Sequence, residues 1–296
     1  MTTLSDLLAD LDAEYDALRS VVIGLADDDA RWDLDTPAEG WAIRDQVSHL
    51  AYFDDAGRLA MVDPDAFARS VDEVLAATGD PMDVHLIRGR AMGGDELLAW
   101  WDDAHRAMVE AFAAADPSVR VPWYGPPMGV LSFISARLME TWAHGQDICD
   151  ALGVERGPTA RLHHIAHLGV RARPFSYLVR GREVPAGRIE VELTGPEGDE
   201  WRWEIGGTDT SDTSDTTGTG ATAGTDTDTD AAAAASAAAA AAAGTVRGTA
   251  LDFCMVVTQR RNVADSGLEV EGELAEDWIS VAQAFAGPPG PGRPPA

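Results

Sequence analysis

Apolar side chains recur every three or four residues through the first half of the chain, and this spacing predicts amphipathic helices. The spacing defines four long segments, at residues 3–25, 41–62, 94–116 and 130–152. Asp95 is the predicted N-cap of the third helix, and Gly153 is the predicted C-cap of the fourth. A shorter helix is predicted at residues 65–79. Four long helices joined by linkers of modest length favour a helical bundle.

The pattern changes in the second half of the chain. A helical pattern that begins at residue 159 is interrupted at Pro174, and residues 188–193 and 201–205 then alternate between apolar and polar positions. This alternation, with a Gly-containing turn between its two runs, predicts a β-hairpin. Three further elements are predicted towards the C-terminus, a helix at 245–262, a short strand at 268–272 and a last helix at 273–287. The C-terminal region is therefore predicted to be a small α+β domain.

Residues 207–245 form a low-complexity segment of Thr, Asp, Gly, Ser and Ala. Such a segment has too little apolar surface to offset the entropy lost on ordering, so we interpret it as a disordered insertion. The alternative is a spacer helix in its poly-Ala part. The predicted organisation is a helical bundle at residues 1–155, a connecting helix at 156–185 and an α+β domain at 186–296.

Composition and charge narrow the classes of partner. The net charge is −28, and all 22 basic residues are arginines. An acidic surface disfavours nucleic acid, because affinity for nucleic acid depends on cations that neutralise phosphates. No apolar run is long enough for a membrane span, and the N-terminus lacks the features of a secretory signal, so a cytoplasmic location is expected. Cys149 and Cys254 are too few for a zinc finger and are not expected to form a disulfide.

The stretch METWAHGQDI, residues 139–148, carries three polar side chains on one face of the fourth helix. Glu140 and His144 are four residues apart and can therefore reach one ion, and Asp147 continues the same stripe. Two ligands are too few for a catalytic zinc, which commonly has three from the protein. His49 on the second helix is the best third ligand, and Asp45 or Asp147 would hold a ligand in place. A hydrogen-bonded interior histidine and a solvated stripe are the alternatives.

The sequence gives less support for a functional role of the other candidate residues. His163 and His167 are also four apart, but no carboxylate accompanies them and several arginines lie nearby. His85 and His105 are interpreted as exposed or boundary residues. The loop after the third helix carries Trp123 and Tyr124, which would stack on a substrate or, as we prefer, pack in the core. The sequence has no nucleophile elbow, and without lysine it has no phosphate-binding P-loop.

Two motifs carry a family resemblance. TPAEGWAIRDQVSHL, residues 36–50, resembles the start of the mycothiol-dependent maleylpyruvate isomerase N-terminal domain, and METWAHGQDI resembles the E-x-x-x-H-x-x-D segment of the same domain. This domain is a DinB-like four-helix bundle that holds a divalent ion, commonly zinc. The resemblance covers residues 5–155 and implies His49, Glu140 and His144 as metal ligands.

The resemblance also has implications for the second half and for function. The C-terminal region is similar to a sterol-carrier-like α+β domain, as in an uncharacterised branch that includes proteins labelled as wyosine-base-formation-like. An arginine of that domain takes part in the isomerase site, and Arg260 or Arg261 is its candidate counterpart, although a surface pair is the alternative. The implied function is a zinc-dependent enzyme that uses a mycothiol-like thiol to isomerise or modify a small electrophile. The alternative is a non-catalytic protein that binds metal or a small ligand.

Overall fold

The computed structural model describes residues 2–25, 28–76, 84–206, 243–290 and 292–296. The chain divides into two compact units, one that ends at Gly157 and one that begins at Pro158. The fold class predicted from the sequence is confirmed, because a helical N-terminal unit precedes a smaller unit built on one sheet. The predicted insertion falls mainly on residues 207–242, which lie outside the described residues.

The described part of the first unit has seven helices: α1 Leu4–Val22, α2 Asp29–Trp32, α3 Ile43–Val62, α4 Pro64–Ala76, α5 Val84–Arg90, α6 Gly94–Ala113 and α7 Val130–Leu152. The four long helices and α4 were predicted, whereas the short α2 and α5 were not. Gly153 ends α7 in the left-handed conformation, as predicted. The prediction for Asp95 is wrong, because Gly93 is the N-cap of α6 and Asp95 lies in its first turn. Asp95 is still suited to that position, since its carboxylate interacts favourably with the positive end of the helix dipole.

The long helices bury one continuous apolar core. Helix α3 packs against α5, α6 and α7, and α1 packs against α7. Trp32 and Trp101 are among the largest fully buried side chains of the core. Each such side chain contributes about 1.5–3 kcal/mol relative to exposure. A two-stranded ribbon, β1 Arg120–Val121 and β2 Met128–Gly129, connects α6 to α7.

The second unit combines helices with a four-stranded sheet. Its elements are α8 Leu162–Arg171, α9 Arg173–Leu178, β3 Arg188–Thr194, β4 Glu200–Ile205, β5 Ala243–Thr249, α10 Ala250–Val257, β6 Glu269–Glu271 and α11 Glu273–Val281. The strand order is β4-β3-β5-β6, with β3 and β5 parallel and the other pairs antiparallel. The predicted hairpin and short strand are confirmed, and the last helix is confirmed except that it ends at Val281 instead of residue 287. Pro174 separates α8 from α9 and sits in the first turn of α9, where a missing N–H costs nothing.

The predicted helix at residues 245–262 is wrong in its first part, because residues 243–249 form β5. Val246 is fully buried in the sheet, as a β-branched side chain in a strand favours. The helix begins only after Thr249, whose hydroxyl accepts a hydrogen bond from the backbone N–H of Asp252. Among the described residues of both units, no helix has the length and apolar character needed to cross a membrane.

Candidate metal centre

The three predicted ligands meet between α3 and α7. Nε2 of His144 lies 3.0 Å from Oε2 of Glu140, and Nε2 of His49 lies 3.6 Å from the same oxygen. All three side chains offer a ligand atom within 4.8 Å of the others. A tetrahedral ion with ligands at about 2.1 Å separates its donor atoms by roughly 3.4 Å. The spacing of these donors therefore fits one divalent ion with only small movements of the side chains.

A chain of hydrogen bonds sets the orientation of His144. The Thr36 hydroxyl donates to the carbonyl of Trp41 at 2.8 Å, so its oxygen accepts from Nε2 of Gln46, also at 2.8 Å. The amide oxygen of Gln46 must then face Nδ1 of His144 and accept its proton in a short hydrogen bond. With Nδ1–H held by Gln46, Nε2 is the nitrogen of His144 that can give up its proton to face an ion on the side of Glu140. Metal-binding histidines are held by the same type of bond from their second nitrogen.

The protonation states around the centre suit metal binding. Burial, and then the charge of His144, lower the pKa of His49 to about 4. Burial alone would raise the pKa of Glu140, but the hydrogen bond with His144 and the nearby imidazole of His49 outweigh it and hold that pKa well below its ordinary value. His49 is therefore neutral and Glu140 ionised at neutral pH. These are the forms in which both residues bind metals.

Aromatic rings surround the two histidines. Trp41 stacks on His144 with ring centroids 5.8 Å apart, and Phe53 lies 4.5 Å from His49. The loop between α6 and α7 extends this cluster, since the ring of Tyr124 lies 5.6 Å from that of Phe53. Trp123 in the same loop instead packs inward, parallel to the buried Phe67 with ring centroids 5.7 Å apart. Because these apolar rings exclude water from the donor atoms, they lower the local dielectric and strengthen electrostatic interactions there.

Residues 7–149 match the family model described as the mycothiol maleylpyruvate isomerase N-terminal domain. The chain belongs to this family. Over 286 residues it is 39% identical to two Mycobacterium tuberculosis proteins, uncharacterized protein MT0041 of strain CDC 1551 / Oshkosh and uncharacterized protein Rv0036c of strain ATCC 25618 / H37Rv. The matches cover 97% of this chain and 97% of each relative. The matched range of the family model includes all three converging side chains.

Solved structures support the fold of this family member. The crystal structure of the mycothiol-dependent maleylpyruvate isomerase is similar with a TM-score of 0.55 and 14% identity, and a histidine-to-alanine mutant of that enzyme is similar with the same TM-score and 15% identity. Each match covers 92% of this chain and 95% of the other. At such low identity the likeness concerns the fold.

Asp45 or Asp147 was predicted to hold a ligand in place. For Asp45 the prediction is wrong, because its oxygens accept from the backbone N–H of Ala42 and from Arg90, each at 2.9 Å. Asp45 thus stabilises the start of α3 and attaches α5 to it, while Nδ1 of His49 has no hydrogen-bond partner among the described residues. Asp147 is buried on α7, one turn beyond His144.

Sequence reasoning missed two residues beside the predicted ligands, Gln46 within the first motif and His85 outside both motifs. Gln46 holds His144 in place, yet no spacing rule connects them because they lie on different helices. His85 and His105 were expected to be exposed or boundary residues, but they are only 1% and 5% exposed. His85 belongs to α5 and its ring centroid is 5.0 Å from that of His49. The one available signal was that Gln46 lies three residues before His49, on nearly the same face of α3.

The other candidates lie in the second unit of the chain. The ring of His163 contacts Trp201 and Trp203, and Nδ1 of His167 accepts a hydrogen bond of 3.2 Å from the indole of Trp203. Among the described residues, they are not part of a group of three potential ligands. Arg260 and Arg261 bond locally, to the carbonyl of Thr258 and to Asp252.

Proposed function

We propose that the chain is a zinc-dependent enzyme that uses a low-molecular-weight thiol, such as mycothiol, to isomerise or modify a small electrophile. The convergence of His49, Glu140 and His144 is the observation that carries this proposal. The reaction class is supported by family membership and by the fold shared with a mycothiol-dependent maleylpyruvate isomerase. The acidic charge favours a small molecule over nucleic acid as partner, and a cytoplasmic location stays a prediction.

The residues present fit a zinc ion. Two imidazole nitrogens and one carboxylate are common zinc ligands, and three protein ligands leave a position open. When bound, the ion would lower the pKa of a thiol and hold it as the nucleophile that adds to a double bond and is later expelled. Glu140 contributes one negative charge and the neutral histidines none, so the centre keeps a net charge of +1 that favours an anionic sulfur. Gln46 would keep Nε2 of His144 directed at the ion.

The thiol would come from outside the chain. Both cysteines are free and buried, at 1% exposure for Cys149 and 0% for Cys254. Burial raises the pKa of the Cys149 thiol to about 11 and also raises the pKa of Cys254. Thiols in this state are not ionised at neutral pH and react poorly. A thiol-dependent reaction here therefore requires an added thiol.

Metal analysis tests the ligand assignment. We expect about one equivalent of zinc in the wild type and none in His49→Ala or His144→Ala, because removal of one of three ligands leaves too few. His163→Ala in the second unit is the matched control and should keep the metal. Zinc retained by both site variants would overturn the assignment.

A thiol-dependence assay separates the enzyme from the non-catalytic alternative. The zinc-loaded wild type is mixed with maleylpyruvate, with and without mycothiol, and cis–trans isomerisation is followed by absorbance. We expect conversion only when zinc and thiol are both present, and loss of conversion in His144→Ala. A zinc-loaded wild type that shows neither isomerisation nor thiol transfer would favour a protein that only binds metal or a small ligand.

A further inference from the structure

Two buried imidazole nitrogens near the centre have no hydrogen-bond partner among the described residues, Nδ1 of His49 and Nε2 of His85. The two rings are 5.0 Å apart between centroids and inclined by 73°. A hydrogen bond between two imidazole nitrogens spans about 2.9–3.0 Å, and about 1.1 Å separates each nitrogen from its ring centre, so bonded rings lie roughly 5 Å apart. The two rings are already at this separation.

We infer that His85 is a positioning residue of the metal centre: when Nε2 of His49 holds the ion, Nε2 of His85 accepts a hydrogen bond from Nδ1–H of His49. This inference rests on the proposed function, because it assigns a role to His85 through the ion held by Nε2 of His49. A histidine that binds zinc through one nitrogen carries its proton on the other, and that N–H is almost always given to an acceptor. Left unpaired in a buried site, it would cost about 1–3 kcal/mol.

Helix α5 is attached to α3 in a way that fixes His85 beside His49. The guanidinium of Arg90 bonds to both oxygens of Asp45 at 2.9 Å. A Cβ added at Gly89 would lie 2.3 Å from Cβ of Ser48, so only glycine allows the two helices to approach this closely. Asp45, Ser48 and His49 lie on one face of α3, and this face is the one that α5 covers.

The surroundings of His85 restrict it to this role. Its side chain is 1% exposed, and the rings of Trp41 and Tyr52 lie 5.5 Å and 5.8 Å from its own. It is not part of the group of three that can share an ion, so it does not act as a fourth ligand in this arrangement. With this bond, each proposed imidazole ligand has an acceptor for its second N–H, Gln46 for His144 and His85 for His49.

Zinc affinity, measured by competition with a chromophoric chelator, tests the inference. His85→Leu has a side chain of similar size but lacks the acceptor, and we expect its affinity for zinc to fall by about 10–100-fold. His85→Gln restores an acceptor oxygen near the position of Nε2 and should stay within about threefold of the wild type. Equal affinities of wild type and His85→Leu would overturn the inference, as would an equal loss in both variants. Thermal unfolding of the metal-free variants identifies any that fail to fold.

A direct readout covers the case in which a variant is unstable. In ¹⁵N-labelled wild type, a scalar coupling between Nδ1 of His49 and Nε2 of His85 reports the hydrogen bond in either direction. We expect this coupling in the zinc-loaded protein, and its absence would overturn the inference. If the wild type binds no zinc, the proposed function fails, and the same coupling in the metal-free protein still decides whether the two rings are bonded.

Discussion

Arg137 on α7 donates two hydrogen bonds to Oδ1 of Asp54 on α3, at 3.0 Å from Nε and 2.8 Å from Nη2. Both side chains are at most 4% exposed, and a third bond joins Nη2 of Arg137 to the carbonyl of Leu50. The pair lies close in sequence to Glu140 on α7 and to His49 on α3. It therefore sets the register of the two helices that supply the proposed ligands.

The first prediction concerns this pair. Asp54→Ala should lower the free energy of unfolding by about 3–5 kcal/mol, because Arg137 would be left buried without its counter-charge. Urea denaturation at pH 7 measures the change. The exposed pair of Arg106 and Asp103, with side chains 66% and 74% exposed, provides the control. Asp103→Ala should cost less than about 1 kcal/mol, and a similar cost for both substitutions would contradict the prediction.

The second prediction concerns the residue that holds His144. Gln46→Leu removes the acceptor for Nδ1–H of His144 and should weaken zinc binding by about 10–100-fold. Gln146 is the matched control, because it lies on α7 but bonds to Asp150 away from the centre. Gln146→Leu should leave zinc affinity unchanged. An unchanged affinity in Gln46→Leu would show that the orientation of His144 does not depend on this bond.

Residue spacing predicted the parts of the centre that are local in sequence. The pairing of Glu140 with His144 follows from the pitch of one helix, and the structure places their donor atoms 3.0 Å apart. The addition of His49 needed two helices to face each other, which spacing alone left open and the order of two motifs indicated. Gln46 and His85 were beyond such reasoning, since their roles depend on contacts between helices that no periodicity encodes.

The elements of the fold also differ in whether local sequence could predict them. The long helices and the hairpin were predictable because their hydrophobic period is a local property. Strand β5 was not, because it pairs in parallel with β3 across a long connection and contains two glycines that weaken a strand pattern. One of them, Gly248, has a φ of 152°. A Cβ at this position would lie 2.8 Å from Cδ2 of Leu268, a contact that the sequence does not reveal.

The third prediction is a pH dependence. Burial opposes the charged form of His105, but the hydrogen bond with Asp12 and the nearby carboxylate of Asp54 outweigh it and raise the pKa of His105 to about 9. Since the pKa in the folded protein is above the ordinary value of 6.5, protonation favours folding. The contribution is complete below pH 6.5, decreases as the pH rises and is lost near pH 9. A shift of this size corresponds to roughly 3 kcal/mol.

A comparison with His105→Gln isolates this contribution. Free energies of unfolding are measured for both proteins between pH 6 and 9.5, and other titrating groups largely cancel in the difference. The wild type should be more stable at pH 6, and its advantage should shrink steadily towards pH 9. An advantage that stays constant or grows with pH would show that His105 is neutral in the folded protein.

The fourth prediction tests the packing of the second unit at Gly169, where α8 meets α10. A Cβ at this position would lie 2.7 Å from Cγ2 and 3.1 Å from Cβ of Val257, atoms too close to the backbone to move aside. Alanine gains about 0.8–1 kcal/mol of helix propensity, but overpacking costs about 1–3 kcal/mol. Gly169→Ala should therefore lower the free energy of unfolding by about 1 kcal/mol overall.

A double-mutant cycle shows whether that loss comes from the contact. In a Val257→Ala background the 2.7 Å contact with Cγ2 is removed and the 3.1 Å contact with Cβ is left, so Gly169→Ala should cost less than in the otherwise unchanged protein, with a coupling of about 1 kcal/mol. Gly157→Ala is the control, because no atom lies within 4 Å of its Cβ position. If Gly169→Ala stabilises the otherwise unchanged protein, the helices α8 and α10 are farther apart than the structure places them.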